Sequence, residues 1–203
     1  MTPLWLAGKP LILASRSKVR QALLEGAGIP LDICPADLDE RRLEAGAASQ
    51  APGTVAAHLA REKAHAVAKL HSGALTLGAD QMLALGAARF SKPADTESAQ
   101  EQLRMLSGKT HELHAAIAFV RDDAVLFEYV GVARLTMRAF SDEFLASYLK
   151  CAGTAATASV GGYQLESFGI QLFERIEGDY FTILGLPLLQ ALQFLRRQGC
   201  LAQ

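Results

Sequence analysis

The stretch Leu11-Ile12-Leu13-Ala14-Ser15-Arg16-Ser17-Lys18-Val19-Arg20 contains the pattern that decides the fold class. Its first four residues are apolar and are followed by serine, which is typical of a short buried strand. Apolar or small residues then recur at positions 19, 22, 23 and 26, the spacing of an amphipathic helix, and Ser17 is the expected N-cap. A strand that leads directly into a helix favours an α/β fold.

The same alternation continues along the rest of the chain. Helices are expected at Thr54–Leu70, Ser98–Leu106, Asp142–Lys150 and Pro187–Arg197. Strands are expected around Ile33 and at Ala74–Gly78, Met82–Leu85, Leu113–Arg121, Ala124–Met137, Ile170–Ile176 and Phe181–Leu184. We expect a leading strand within Met1–Leu13 and a surface loop at residues 36–52. This order of elements predicts an α/β fold with a mixed sheet, in one domain over residues 1–203.

The composition excludes several classes of protein. Half of the 203 residues are hydrophobic and 20% are charged, with a net charge of −1. Such a chain has material for a buried core but lacks the bulk positive charge that binds a nucleic-acid polymer or an anionic membrane. The most apolar windows fall short of the ~20 residues of a membrane span, and three separated cysteines favour neither a disulfide framework nor a zinc site. We therefore expect a cytoplasmic protein.

The turn between the first strand and the first helix is a candidate anion site. Ser15 and Ser17 supply hydroxyl groups, the helix N-terminus supplies backbone N–H groups, and up to three cations lie nearby, including Arg20. The chain has neither a P-loop nor a dinucleotide-binding glycine motif after this strand. An N-capping serine beside solvated basic residues is the alternative interpretation of the same residues.

Two carboxylates and two lysines form a second candidate group. Asp80 interrupts an apolar strand, where a carboxylate needs a partner or a ligand unless it lies in a turn, and the adjacent Gly78 permits a close approach of a ligand. Lys63 lies on the apolar stripe of a predicted helix, so its ammonium must either reach solvent or meet an anion. Glu40 ends an acidic cluster that suits Mg²⁺ or a solvated loop, and Lys92 stands beside a proline. Cations around carboxylates are what a metal–polyphosphate substrate requires.

Eight short motifs in this order resemble the Maf family of nucleoside triphosphate pyrophosphatases, over about residues 10–197. They are Leu11–Arg20, Asp39-Glu40, Arg61–Ala64, Gly78–Asp80, Lys92-Pro93, Ser107–His111, Arg175–Tyr180 and Gly185–Leu188. The resemblance implies an elongated α/β fold of the Maf/inosine-triphosphatase type, with two lobes around a cleft. It also implies hydrolysis of a nucleoside triphosphate to the monophosphate and pyrophosphate with Mg²⁺ or Mn²⁺.

The resemblance implies roles for individual residues. Asp80 matches the family's proton acceptor and, with Glu40, a metal ligand. The substrate-binding positions that it implies are Ser15, Ser17, Val19, Arg20, Lys63, Gln81, Lys92 and Glu166. An attacking water would then cleave the bond at the α-phosphorus.

The family pattern leaves the base open between 7-methyl-GTP, dTTP or UTP, and others. Gln81 and Glu166 are similar to the branch that prefers 7-methyl-GTP, because the branch that acts on dTTP and UTP usually has threonine and glutamine there. A carboxylate accepts hydrogen bonds from a guanine edge and suits a cationic base. Val19, however, stands where the 7-methyl-GTP branch has an aromatic tryptophan, and Lys18 and Val19 replace proline and arginine of the usual family loop.

Two further expectations concern function class and assembly. A nucleotide-binding regulator of cell division with little or no turnover is the alternative, because the first loop departs from the family pattern. The enzyme is favoured, since both carboxylates and all three cations (Arg20, Lys63, Lys92) are present. A symmetric homodimer is the default expectation for such a protein.

Overall fold

The computed structural model describes residues 4–47 and 50–203. The strands are β1 (Leu11–Leu13), β2 (Leu31–Ile33), β3 (Thr76–Leu85), β4 (Ala88–Phe90), β5 (Thr110–Arg121), β6 (Ala124–Met137) and β7 (Phe173–Glu177). The helices are α1 (Lys18–Gly26), α2 (Glu40–Gly46), α3 (Pro52–Ala68), α4 (Thr96–Leu106), α5 (Asp142–Ala152), α6 (Ala155–Ala158), α7 (Tyr180–Ile183) and α8 (Leu188–Arg197).

The described strands form one mixed seven-stranded sheet, which confirms the predicted α/β class. Its order is β2-β1-β3-β5-β6-β7, and β4 pairs with β3. The β2-β1-β3 part is parallel, whereas β3, β5, β6 and β7 are successively antiparallel. The chain leaves β1 toward β2 and later returns to its other side as β3, and ligands of open α/β sheets bind at such a reversal, beyond the carboxyl ends of the strands.

One edge of β3 is paired only at its two ends. Strand β5 pairs with one side of β3 from Thr76 to Ala84. On the other side of β3, β1 pairs with Thr76 and Leu77, and β4 pairs with Leu83–Leu85. The segment Gly78–Met82 therefore lies at an opening between β1 and β4. Asp80 lies in the middle of this segment.

Helix α3 packs against β3 at Gly78. A Cβ atom at this position would collide with the Ala60 carbonyl oxygen and with the backbone nitrogen of Ala64. Gly78 was expected to permit the close approach of a ligand, but it permits the close approach of α3 instead. This close approach brings Lys63, which lies between the two contact points on α3, next to Asp80.

Several local expectations were wrong. Residues 40–46 of the predicted loop form α2, whose N-cap Asp39 accepts a hydrogen bond from the Arg42 backbone nitrogen at 3.1 Å. The predicted strand Phe181–Leu184 is instead occupied by α7, because the Asp179 side chain caps it through the Thr182 backbone nitrogen at 2.8 Å. In both segments a side-chain cap starts a short helix, where the Ala/Gly/Ser-rich composition of the first segment predicted a loop and the apolar residues of the second predicted a strand.

The remaining differences concern the strands and the short helix α6, which was not predicted. The two strands expected on either side of Asp80 are one continuous β3, because β5 pairs with it from Thr76 to Ala84. The predicted strand Ile170–Ile176 begins only at Phe173, after a 3₁₀ turn, and β4 was not predicted. In the predicted leading strand, the regular part is Leu11–Leu13. Residues 1–3 of that strand and residues 48–49 of the predicted loop lie outside the described residues.

In the described part of the chain, no helix is both long and apolar enough to cross a bilayer.

Candidate active site

A cleft of about 600 Å³ opens beside the carboxyl end of β1 and the middle of β3. Every residue predicted for the site lines this cleft: Ser15, Ser17, Val19, Arg20, Glu40, Lys63, Asp80, Gln81, Lys92 and Glu166. These residues come from segments that are far apart in the sequence. The fold therefore gathers them on the walls of one cavity.

Lys63 links the two carboxylates of the cleft. Its Nζ donates to Asp80 Oδ1 at 2.7 Å and to Glu40 Oε2 at 2.8 Å. Lys63 and Asp80 are 8% and 7% exposed, so the lysine meets anions instead of reaching solvent. Burial raises the pKa of the Asp80 carboxyl, and the charges of Lys63 and Arg20 oppose that rise.

Arg20 ties the first loop to β3 and to the segment before α8. Its Nη1 donates to the Ala79 carbonyl oxygen at 2.8 Å and to Ser15 Oγ at 3.1 Å. Its Nε donates to the Gly185 carbonyl oxygen at 2.8 Å. Gly185 has a φ of 87°, a left-handed conformation that favours glycine, and its carbonyl can thereby face the guanidinium. Burial lowers the pKa of Arg20, but a guanidinium remains charged.

The N-terminus of α1 forms the wall next to Arg20. Ser17 is its N-cap, as predicted, and its Oγ accepts from the Arg20 backbone nitrogen at 3.4 Å. Ser15 Oγ accepts from the Ser17 backbone nitrogen at 3.3 Å. The N–H groups of Lys18 and Val19, in the first turn of α1, have no intrahelical acceptors and can meet an anion.

Lys92 supplies a free ammonium at the mouth of the cleft. It is exposed and makes no hydrogen bond or ion pair with any residue that the structure describes. Partial burial of its ammonium lowers the pKa of Lys92, and the charges of Arg20 and Lys63 lower it further. The charges of Glu40 and Asp80 oppose this lowering.

Three further predicted residues, Gln81, Val19 and Glu166, also line the cleft. Gln81 Nε2 donates to the carbonyl oxygens of Thr182 at 3.2 Å and Ile183 at 2.9 Å. Its amide group therefore holds α7 in place, and its oxygen is the atom left to contact a ligand. Val19 is half-buried, and Glu166 is exposed.

Glu44 is a cleft residue that the sequence analysis missed. It lies one helical turn after Glu40 on α2 and lines the same cavity. Burial raises the pKa of Glu44, and the charges of Asp80 and Glu40 raise it further. The signal was the i, i+4 spacing of Glu40 and Glu44, but it has meaning only on a helix, and this segment was expected to be a loop.

The buried pair of His111 and Tyr163 supports the far wall of the cleft. His111 Nε2 lies 2.7 Å from Tyr163 Oη, and Tyr163 lines the cavity. His111 is 1% exposed, and burial lowers its pKa to about 4, so the imidazole is neutral at physiological pH.

The carboxylates of Asp80 and Glu40 are the residues that fit a divalent ion. No group of three or more His, Cys, Asp and Glu side chains that could hold a metal occurs in residues 4–47 and 50–203. Mg²⁺ nevertheless needs only one or two carboxylates, with its remaining positions filled by water and phosphate oxygens. Each of these two carboxylates uses one oxygen for Lys63. The donor set therefore fits a metal that arrives with a phosphate ligand.

Comparisons with known proteins place the chain among nucleotide pyrophosphatases. Residues 10–198 match the family described as Maf-like protein. The chain is 58% identical to a nucleoside triphosphate pyrophosphatase of Rhodopseudomonas palustris strain HaA2, with 98% of each chain covered. It is 52% identical to a nucleoside triphosphate pyrophosphatase of Nitrobacter hamburgensis, again over 98% of each chain. It is 51% identical to a 7-methyl-GTP pyrophosphatase of Rhizobium etli, over 93% of this chain and 96% of that protein.

The family match spans nearly the whole chain, and the resemblance recognised in the eight motifs is confirmed. Five of the eight motifs, Leu11–Arg20, Asp39-Glu40, Arg61–Ala64, Gly78–Asp80 and Lys92-Pro93, contribute residues to the lining of the cleft. The chain belongs to the Maf family.

Proposed function

We propose that this protein hydrolyses a nucleoside triphosphate to the monophosphate and pyrophosphate. The observation that carries the proposal is the buried Lys63, held between Asp80 and Glu40 in a cleft that Arg20 and Lys92 also line. The names of relatives that are 51–58% identical over nearly the full chain support it. Such a cleft neutralises a polyphosphate and keeps a carboxylate beside it, which is what phosphoanhydride hydrolysis requires.

The first loop and the cations would bind the triphosphate. Arg20 uses its Nε and Nη1 within the protein, so its Nη2 is the donor available to a phosphate oxygen. Lys92 adds a free ammonium, and the hydroxyl of Ser15 and the first N–H groups of α1 add neutral donors. Because Arg20 is fixed by three hydrogen bonds, little reorganisation is needed when the anion arrives.

Asp80 would accept the proton of the attacking water. Burial raises the pKa of its carboxyl, which brings a general base closer to the working pH. Lys63 holds one carboxylate oxygen at 2.7 Å and leaves the other for water. The charge of Lys63 limits the rise in that pKa.

Glu40 and Asp80 would hold the divalent ion. When bound, Mg²⁺ or Mn²⁺ would neutralise phosphate charge and make the phosphorus more open to attack. Lys63 contacts one oxygen of each carboxylate, so the other oxygen of each would hold the ion, directly or through a water molecule.

Gln81, Val19 and Glu166 would contact the base. The Gln81 oxygen and the Glu166 carboxylate are acceptors, and they favour a base edge rich in N–H donors. Val19 offers a small apolar surface with no aromatic ring. The nucleotide panel described next determines which base the protein prefers.

A nucleotide panel tests the proposal. The protein is incubated with natural and methylated nucleoside triphosphates and Mg²⁺ or Mn²⁺, and the products are separated by chromatography. Monophosphate with pyrophosphate is expected, whereas diphosphate with free phosphate contradicts the proposal. Asp80→Asn should lower kcat by about 100-fold or more, as expected for loss of a general base. Asp123→Asn, a change at an exposed turn, is the matched control and should leave kcat unchanged.

The panel combined with calorimetry distinguishes the enzyme from a nucleotide-binding regulator. Calorimetry on the Asp80→Asn variant measures nucleotide affinity without turnover. Binding by the wild-type protein together with no turnover on any nucleotide of the panel would favour the regulator.

A further inference from the structure

Residues 159–166 form the wall of the cleft that carries Glu166. The residues of this segment that line the cavity are Ser159, Val160, Tyr163, Gln164, Leu165 and Glu166. Its backbone hydrogen bonds are local, such as that from the Gly162 nitrogen to the Ser159 carbonyl oxygen at 3.4 Å, and no strand of the described chain pairs with it. The position of this wall therefore depends on contacts made by side chains.

Two buried tyrosine hydroxyl groups attach the segment to the rest of the fold. Tyr163 lies within the segment, and its Oη is 2.7 Å from Nε2 of His111 on β5. Tyr148 of α5 donates from its Oη to the Gly162 carbonyl oxygen at 3.0 Å. Because all three side chains are buried, water does not compete for either hydrogen bond.

The hydrogen bond between His111 and Tyr163 has no substitute nearby. The Nδ1 atom of His111 is buried and has no partner among the described residues, so the Tyr163 hydroxyl is the one group with which the imidazole forms a hydrogen bond there. Phe173 packs edge-on against the Tyr163 ring, with the ring centroids 4.9 Å apart. Removing the hydroxyl would leave a buried imidazole unpaired and would detach the segment from β5.

We propose that His111 and Tyr163 are positioning residues, which place Glu166 for its contact with the base. The inference rests on the proposed function and deepens it. Glu166 is exposed, and its carboxylate makes no hydrogen bond or ion pair with the described residues, so its place depends on the backbone that carries it. Arg20 and Asp80 lie on other elements, and the phosphate end of the cleft does not depend on this pair.

The test compares a nucleotide with a phosphate chain that has no base. The nucleotide is the one preferred in the panel, and inorganic tripolyphosphate is measured as its competitive inhibitor. Tyr163→Phe removes only the hydroxyl and should raise KM by about threefold to tenfold, the contribution of one hydrogen bond. Both kcat and the inhibition constant of tripolyphosphate should stay within about twofold of wild type. Tyr129→Phe, at an exposed tyrosine of β6 outside the cleft, is the matched control and should change none of the three.

Variants at His111 separate positioning from packing. His111→Gln keeps a hydrogen-bonding group near the place of Nε2 and should hold KM within about threefold of wild type, whereas His111→Leu should raise KM as Tyr163→Phe does. When His111→Leu and Tyr163→Phe are combined, no buried polar atom of the pair is left unpaired. The melting temperature should then recover toward wild type, but KM should stay raised. In a Glu166→Ala background, Tyr163→Phe should leave KM unchanged, since the residue through which it acts is absent.

Four results would overturn the inference. They are an equal loss of affinity for nucleotide and tripolyphosphate, a KM that recovers with the melting temperature in the combined variant, a full effect of Tyr163→Phe in the Glu166→Ala background, and an unchanged KM in folded Tyr163→Phe. If no nucleotide yields pyrophosphate, the proposed function is wrong, and calorimetric dissociation constants of nucleotide and tripolyphosphate then test the positioning separately.

Discussion

Replacing Lys63 by methionine removes the cation between Asp80 and Glu40 while keeping a flexible apolar side chain of similar length. The two lost ion pairs contribute differently, because the Asp80 side chain is 10% exposed whereas that of Glu40 is 48% exposed. Removing one partner of a buried pair costs about 3–5 kcal/mol, and an exposed pair contributes about 1 kcal/mol or less. We therefore expect the free energy of unfolding to fall by about 3–5 kcal/mol at about pH 8.

The pH dependence of this loss identifies its origin. Burial already raises the pKa of Asp80, and removing Lys63 raises it further. In the folded variant, Asp80 is then protonated at a pH where it is still ionised in the unfolded chain. The free energy of unfolding of the variant therefore rises as the pH falls through the pKa of Asp80 in the folded state. The difference from wild type should shrink by up to about 1.4 kcal/mol per pH unit across that range.

Urea denaturation followed by far-ultraviolet circular dichroism measures both effects. Lys69→Met, at an exposed lysine after the same helix, is the matched control and should change stability by about 0.5 kcal/mol or less. In a double-mutant cycle with Asp80→Asn, the two changes should couple by about 2 kcal/mol or more. A loss below about 1 kcal/mol at Lys63, or additive effects of the two changes, would refute the argument that Lys63 neutralises a buried carboxylate.

Three further predictions follow from packing and titration. Gly78→Ala should destabilise the protein by about 1–3 kcal/mol in urea denaturation, because the new Cβ collides with Ala60 on α3. Gly26→Ala is the control, since a Cβ there has no atom within 4 Å, and it should be neutral or slightly stabilising. Equal effects of the two substitutions would contradict the packing argument. His111 has a pKa of about 4 in the folded protein and near 6.5 in the unfolded chain. Its contribution to the free energy of unfolding is therefore fully present above pH 6.5, and about 3 kcal/mol is lost as the pH falls to about 4. His111→Gln should flatten the stability curve in that range, and an unchanged slope would be inconsistent with a buried neutral imidazole. The acid limb of kcat/KM should titrate above the ordinary carboxyl range, because burial raises the pKa of Asp80, and a limb at or below about 4 would contradict this residue as the base.

The ten site residues predicted from the sequence all line the cleft, but the sequence did not indicate all of its residues or its architecture. Asp80 and Lys63 stood out because each places a charge in an apolar pattern, and the structure pairs them at 2.7 Å. Glu44 did not stand out, because its relation to Glu40 depends on α2, and that helix depends on a cap at Asp39.

The sequence by itself determined the α/β class, the strand–helix turn at Ser15–Arg20 and the chemical types of the site residues. These properties depend on hydrophobic periodicity and on single polar residues, which act over a few neighbouring positions. Only the tertiary structure decided that Lys63 meets both carboxylates, that Gly78 admits α3, and that Arg20 donates to Gly185, which is 165 residues away. Such contacts depend on the relative placement of elements that are distant in the sequence, and no local pattern of residues specifies that placement.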